Sequence, residues 1–580
     1  MMIPINGRIG VWTMKQMLIL GAGTGGALIA NKLSHELDLK EWSIKVIDKS
    51  DQHVYQAGLL FLPFKLYGYD EPSDVVKPIV EPVPRSVELI RAEIKAIDPQ
   101  RRNVETADGD YSYDLLVSAM GCRIAPEEID GMQEAWGNRV HTFYTLEGAI
   151  AFQSALDQMT EGRLVINIAD GPIKCPVAPI EFAFLADYYF HQRGIRDHID
   201  ITLVTPFSGA FTKPNANRIL SKIAEEKRIN IVPDFTIERV DGDNNQISSF
   251  EGGTVGYDLL CAIPPNFGPQ VVDESGLGDG TGYGLSDPRT LKSKKADHIY
   301  FLGDNSNVSA SKAGSVTHFE AETVVENLLR EIQGKAPMPS FDGHANCFIE
   351  SGYHKALLID FNYDMEPLEG SFPLPYAGPF SLLEETYMNH VGKIAFKWVY
   401  WNMLLPGRLP NVPLMPAHMS FLGKDLNSAP QIRRAREMRI RDVMTKEVIT
   451  VRQGTSLTEA ARQMIQHNIS SLPVVDVDDR LIGILTEADF LSAMDVAGGG
   501  LVRDLFETII TRRRTRKKMG TIVDDIMTAD PITIGEDERL QTAIALMDNN
   551  KVKRLIITDT NKRVTGIISR PDVVKLFAMK

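Results

Sequence analysis

Through roughly the first 340 residues, short apolar runs alternate with longer stretches of helical period. MLIL (17–20), WSIKVID (42–48), LLVSAM (115–120), LVINIA (164–169), LLCAI (259–263) and HIYFL (298–302) are each stopped by glycine, proline or a polar turn. Such runs predict strands buried on both faces, as parallel sheets require. Helical segments such as TGGALIANKL (24–33) and PIEFAFLADYYF (179–190) stand between them, so the expected class is α/β, built from βαβ units.

The pattern then changes twice. Residues 340–425 are rich in aromatics and prolines, and Leu383, Tyr387, Val391, Ile394, Trp398 and Leu405 fall near one helical face, with Trp401 beside them. A stripe of that kind predicts packing into a core. The Trp and Tyr content, with Lys393, Lys397 and Arg408 nearby, also suits a helix lying in a membrane interface. From residue 436 the chain repeats itself: Met444, Thr450, Gly483 and Asp489 recur as Met527, Thr533, Gly566 and Asp572, each 83 residues on. An ungapped match of that length predicts a tandem duplication.

Two βα turns carry the candidate chemistry. The first strand runs into Gly21-x-Gly23-x-x-Gly26, and the next strand ends at Asp48, 22 residues past Gly26. The first glycine permits a tight turn, the second lets backbone approach a pyrophosphate, and the third lets helix meet strand; Asp48 is placed to accept ribose hydroxyls. The second turn, in LVINIADGPIKCPVAP (164–179), has no such glycines, and its prolines remove N–H groups that a phosphate needs. A nicotinamide dinucleotide is therefore not expected there. Cys175 stands in its place, and the positive end of the following helix predicts a lowered thiol pKa and a nucleophilic sulfur.

Size and charge narrow the classes. A chain of 580 residues with 43% apolar content is long enough for several cores. A net charge of −14 disfavours nucleic-acid binding. The basic run RRRTRKK (512–518) reads as a solvated linker, or as a contact for nucleotide phosphates, an acidic partner or anionic lipid. Four cysteines are too few for a secreted disulfide scaffold, so thiols that matter are expected to be catalytic. No metal is expected. The N-terminus lacks an apolar signal core, with Met14 an alternative start, and no run approaches the roughly 20 apolar residues that span a bilayer.

Residues 14–425 resemble the sulfide:quinone oxidoreductase and flavocytochrome c sulfide dehydrogenase family. The likeness lies in GAGTGG, CPVAPIE, TPFSGAFTKP, GDNSNVSASKAG, NCFIESGYHKALLIDFNY and FKWVYWNMLLPG. It implies a Rossmann-like flavoprotein with two dinucleotide-binding domains that holds FAD. The FAD contacts would be Gly21, Gly23, Gly26, Asp48, Gly121, Gly303 and Asp304, with Lys312 near the flavin pyrimidine or a quinone oxygen. The resemblance also implies that Cys175 and Cys347 bracket the flavin and shuttle sulfur. Hydrosulfide would open a bridge between them, leaving a persulfide on Cys347 and a Cys175 thiolate, and two electrons would pass to the flavin. Glu181 would manage protons, against the alternative of a solvated helical glutamate. Electrons would go on to a membrane quinone near Lys397, with Phe341, Tyr376 and Phe380 as stacking aromatics. Some family members carry a third cysteine shortly after the segment ending at Gly121; here VHTFYTLEGA (140–149) has none. Cys122 comes too early to replace it, and Cys261 reads as core.

The repeat at 436–579 resembles a pair of CBS (cystathionine β-synthase type) domains, which implies binding of AMP, ADP or ATP. The residues carried over are Thr486 with Asp489 and Ser569 with Asp572, and Thr450 and Thr533 would line the same cleft. Thr486 and Asp489 are also spaced as a helix cap.

The expected organisation is an FAD-binding domain at 14–156 and 293–339, an inserted second Rossmann-like domain at 157–292, a quinone- and membrane-associating region at 340–425, and CBS repeats at 436–495 and 519–579. The expected function is oxidation of sulfide to sulfur or polysulfide by a self-associating, peripheral protein on the cytoplasmic side of a membrane. A type II NADH:quinone oxidoreductase, which needs a glycine loop near residue 170, and a non-catalytic redox and adenylate sensor are the rivals.

Overall fold

The computed structural model describes residues 14–374, 378–407, 418–420, 422–425, 428, 438–495 and 521–573. The chain divides into two compact units, Met1–Ala429 and Pro430–Lys580.

The first unit opens with a five-stranded parallel sheet, in the order Ile299–Phe301, Leu115–Ser118, Lys15–Leu20, Trp42–Asp48, Glu88–Arg91. Met17, Ile19, Val46 and Val117 join the main core on one side, and Leu18, Leu20 and Ile47 join Ile97, Val104 and Tyr113 on the other. Burial on both faces explains why these strands show no polar alternation. The helices Thr24–Glu36 and Gly314–Ile332 pack on one another beside this sheet.

A second five-stranded parallel sheet runs Val140–His141, Leu259–Ile263, Gly162–Ile168, Ile199–Val204, Ile229–Val232. Its edge strand pairs Val140 with Leu260, so the sheet begins ahead of the boundary expected at 157. Two residues are too few to show a period in sequence. Both sheets follow the same plan, a strand that leads through a turn into a helix.

Beyond residue 340 lies a four-stranded sheet (Ala345–Gly352, Lys355–Phe361, Gly378–Leu382, Gly370–Leu374). It is followed by the helix Tyr387–Val399, where the Thr386 hydroxyl accepts the Asn389 N–H, and by a π-turn at Tyr400–Leu404. The apolar stripe divides here. Leu383 and Leu405 are buried, whereas Tyr387, Val391 and Trp398 are 64%, 39% and 61% exposed, with Met388 beside them. Burial of the whole stripe as core is thus corrected: Ile394 packs against the main core, but the most deeply buried positions of this helix are Asn389 and His390, where a globular helix carries apolar side chains. Among the described residues no helix is long and apolar enough to cross a membrane.

In the second unit the two repeats exchange their leading segments. Ile440 and Met444 lie in one core with Leu555, Ile557 and Ile568, while Val523 lies in the other with Leu472, Val474 and Leu485. A Cβ at Gly483 would meet the Met527 sulfur at 2.4 Å, and one at Gly566 would meet the Met444 sulfur at 2.4 Å. Residues 83 apart therefore play mirrored parts, and each repeat's core borrows from the other.

Candidate active site

The first βα turn is shaped by glycine. Gly21 has φ +92°, and a Cβ there would stand 2.5 Å from the Ala119 carbonyl; one at Gly26 would stand 1.8 Å from the Gly21 carbonyl. Gly23 has nothing within 4 Å of its Cβ position, and no side chain caps the helix that begins at Thr24. Free N–H groups and the helix dipole at that end favour an anion. The Asp48 carboxylate lies at the same turn, accepting the Ala22 N–H at 2.7 Å and the Ser50 N–H at 2.8 Å. Across the sheet, Gly121 and Gly303 have φ +70° and +65°. The Gly303 N–H donates to the Glu320 carboxylate, whose pKa burial pushes up to about 8. Next to Asp304, the Asn305 amide nitrogen is buried without a partner in the protein. The helix Gly314–Ile332 also begins without a side-chain cap. Two uncapped helix ends, an open glycine and an orphaned amide fit a bound dinucleotide.

The second βα turn is made differently. Cys175 has φ +45°, in the left-handed region, and neighbours hold it there. Its N–H donates to the Lys312 carbonyl at 2.6 Å, the Tyr144 hydroxyl donates to the Lys174 carbonyl at 2.8 Å, and the Lys174 N–H donates to Asn266 Oδ1 at 2.8 Å. Cys347 lies on the strand Ala345–Gly352, its sulfur 3.9 Å from Ser315 Oγ. The two cysteines come near enough to act on one another electrostatically: after burial, Cys347 is the strongest influence raising the Cys175 thiol. Both are free, half-buried thiols.

The lowered pKa expected of Cys175 is corrected. Burial raises it, Cys347 and Glu181 raise it further, and the Lys393 ammonium and the Ala178 N–H oppose without prevailing. Burial likewise pushes Cys347 up to about 11, against Ser315 and Lys393. Desolvation of a thiolate outweighs one helix end here. Glu181 is fully buried rather than solvated, and its Oε1 receives Lys393 Nζ at 2.6 Å and the Glu350 N–H at 2.7 Å. Burial raises the Glu181 carboxyl; burial would lower Lys393, but Glu181 and Cys175 outweigh it and hold its ammonium above the ordinary value.

The other anticipated residues are scattered. Lys312 is buried, with Nζ on the Ser306 and Asp304 carbonyls at 2.7 and 3.1 Å and 4.1 Å above the Tyr283 ring, so its ammonium braces the Asp304 turn. Lys397 reaches Asp74 Oδ1 at 3.5 Å and the Gly68 carbonyl at 3.3 Å, over the Tyr69 ring. Phe341 is wholly buried against Tyr363, which corrects its assignment to an open stacking surface. Phe380 is half-buried and packs edge-on against Phe348, the residue after Cys347. Tyr376, Arg408 and the basic run at 512–518 lie outside the described residues. Cys122 lies 3.9 Å from both Asp304 Oδ2 and Asn266 Oδ1, and burial pushes its thiol up to about 12. Cys261 is buried in the second sheet.

In the second unit Thr486 donates its N–H and hydroxyl to Asp489 Oδ2, both at 2.8 Å, and Ser569 does the same to Asp572. Both pairs form the helix-cap arrangement. Thr450 is half-buried and Thr533 exposed.

Several groups of the first unit escape sequence reasoning. Lys393 and His390 are three apart on a helix, one turn on one face, and that face meets Glu181 and Glu350. The polar positions facing the stripe were the available signal. Tyr400 is a further case: its hydroxyl bonds Thr24 Oγ1 and His53 Nε2, each at 2.7 Å, tying the π-turn to the glycine loop.

The fold and site define a class: the chain belongs to the pyridine nucleotide-disulphide oxidoreductase family, matched over residues 15–317, and carries two CBS domains, matched at 440–496 and 523–578. Within that class it is a homologue of the sulfide:quinone oxidoreductases, a family of oxidoreductase enzymes. The mitochondrial sulfide:quinone oxidoreductase of Dictyostelium discoideum is 27% identical over 402 residues, covering 68% of this chain and 86% of the relative. That of Mus musculus is 24% identical over 401 residues, with the same coverage of 68% and 86%. The solved sulfide:quinone oxidoreductase of the hyperthermophilic bacterium Aquifex aeolicus shares the fold, with a TM-score of 0.58 at 20% identity over 68% of this chain and 93% of that one.

Proposed function

We propose that the protein oxidises sulfide at the Cys175–Cys347 pair and delivers the electrons through FAD to a membrane quinone, under adenine-nucleotide control from the CBS pair. The observation that carries this reading is the second βα turn: where a phosphate loop belongs, a held thiol lies within electrostatic reach of a second thiol from a remote strand. In the oxidised enzyme the two sulfurs are bridged. Hydrosulfide attacks the bridge, forming an S–S bond on Cys347 and releasing Cys175 as thiolate. Closure of a bridge that now holds the added sulfur releases two electrons. Bound FAD supplies the acceptor for that pair. Gly21, Gly23, Gly26, Asp48, Gly121, Gly303 and Asp304 would hold it, with Lys312 bracing the Asp304 turn. Lys393 stays cationic beside both sulfurs and favours whichever is thiolate. Glu181, its partner, is a carboxylate that acts on both thiols and can take a proton.

The exposed Tyr387, Met388, Val391 and Trp398 face is the surface that would enter the headgroup boundary. Each such side chain contributes about 1.5–3 kcal/mol when fully removed from water. Lys397 and Phe380 lie on this region and would meet the quinone there. At the CBS pair, Thr486, Asp489, Ser569 and Asp572, with Thr450 and Thr533, would contact an adenylate, the caps exchanging bonds with its ribose and phosphate.

Anaerobic sulfide added to the purified yellow protein tests the reading. Prompt bleaching, reversed by a soluble quinone, is expected. Bleaching by NADH and not by sulfide would replace it with the NADH:quinone reaction, and reduction by neither would leave a sensor.

A further inference from the structure

Oxidation of hydrosulfide to bound sulfur releases one proton with every two electrons, and Glu181, which pairs with Lys393 beside the thiols, is fully buried, while the Lys393 side chain keeps 14% of its surface exposed. From that pair a line of titratable side chains leads outward. Glu350, on the same strand as Cys347, gives its N–H to Glu181 Oε1 at 2.7 Å, is itself fully buried, and sets its Oε2 2.9 Å from His390 Nδ1. His390 Nε2 lies 3.4 Å from His354 Nδ1. His354 is exposed, and its Nε2 is 3.5 Å from the Tyr188 hydroxyl, to which Gln192 donates at 2.8 Å.

Glu181 Oε2 is buried without a partner in the protein, and the Glu350 carboxylate and the Tyr67 hydroxyl have only one another for the remaining buried oxygens of this cluster. Glu350 acts electrostatically on both Glu181 and Tyr67, and the Tyr67 ring stands edge-on to His390 at 4.8 Å and to His354 at 5.8 Å. A network kept for stability alone satisfies its members, since half-satisfied buried polar groups cost more than apolar packing. Its outer end is also costly in backbone terms. Tyr353 and His354 form the hairpin turn with φ +54° and +57°, a conformation for which Asn and Gly are the favoured residues.

We propose that Glu350, His390 and His354 conduct protons between the Glu181–Lys393 pair at the thiols and solvent at the 353–354 turn. This rests on the sulfide reading for the source of the proton, which passes from the Glu181 carboxyl to the Glu350 carboxyl that acts on it within the buried cluster, crosses the His390 ring from Nδ1 to Nε2, and exits from His354. Each imidazole accepts on one nitrogen and donates from the other, as a shuttle needs.

His354→Ala in the full, flavin-loaded chain is the test, because an exposed side chain can be removed without disturbing the core. In weakly buffered solution, turnover with sulfide and quinone should fall about tenfold, and added imidazole should restore it. Wild-type turnover in weak buffer, or a loss that imidazole does not relieve, would overturn the relay. An arm without sulfide separates this from the assigned reaction. Ferricyanide closes the thiol pair to a disulfide, taking two electrons and releasing two protons that an indicator dye follows. Proton release should lag in His354→Ala and recover with imidazole. If sulfide fails to bleach the wild type, the assigned reaction falls and the relay is judged on the ferricyanide arm, where equal release rates in variant and wild type would overturn it.

Discussion

The turns at residues 20–24 and 168–178 occupy the same place in two parallel sheets of one plan, yet the first is built from glycine and the second from proline, lysine and cysteine. In the first, the helix end is uncapped and the backbone is open at Gly23. In the second, the N–H groups of Lys174, Cys175 and Ala178 are all bonded within the protein, and the first helical turn carries the buried acid Glu181. A phosphate would find the N–H groups of these three residues already taken, two prolines without any, and a carboxylate besides. The topology fixes where chemistry takes place, at the carboxyl ends of the strands, and the composition of each turn decides what that chemistry is.

The comparison breaks most sharply at the sulfurs. Cys175→Ser and Cys347→Ser should each cost at least about a thousandfold in sulfide-dependent quinone reduction, as loss of a nucleophile does, while the protein stays yellow. Wild-type turnover in either variant would remove the thiol turn from the mechanism. Gly26→Ala should do the opposite: its Cβ would stand 1.8 Å from a backbone oxygen, so the protein should purify without flavin while both thiols remain titratable. Flavin retained at full stoichiometry would show that the first turn can yield.

Lys393→Met probes what supports the second turn. It leaves Glu181 buried without its cation, at a cost of about 3–5 kcal/mol, read from the urea midpoint. It also removes the charge that favours thiolate. Cys347 is protonated below about 11, so its alkylation rate should climb with pH up to that value, about tenfold per unit. In the variant the curve should move to higher pH; a move to lower pH would reverse the assignment of Lys393. The smallest effect is expected of Tyr144→Phe, which removes one hydroxyl from the Lys174 carbonyl. About 0.5–1.5 kcal/mol should appear as a few-fold loss of turnover with flavin binding unchanged, and an unaltered rate would leave Tyr144 without a part in holding the turn.

Much of this contrast was legible beforehand because it is local. Buried strands announce themselves as unbroken apolar runs, a glycine loop by its spacing, and a duplication by its offset. What escaped is tertiary. The helix-end rule predicted a lowered Cys175 thiol from its neighbours in sequence, but Cys347 and Glu181 come from packing. The Tyr387–Trp398 stripe has the same period whether it is buried or exposed, so only the structure, with Trp398 exposed and His390 buried on one helix, separates the two. His390 and Lys393 carry no motif at all, and Glu350 stands unmarked inside NCFIESGYHKALLIDFNY; they matter because one helix face meets one strand. Phe341 resembled a stacking aromatic and proved to be core, since an aromatic side chain reads alike in both settings.

The account stands on sulfur passing through the second turn, and peptide mass spectrometry after anaerobic sulfide and a thiol-blocking quench tests this most directly. It predicts an added sulfur atom on Cys347, or between Cys347 and Cys175, appearing as fast as the flavin bleaches. Flavin reduced by sulfide while both cysteines are recovered as ordinary blocked thiols at every time point would contradict it.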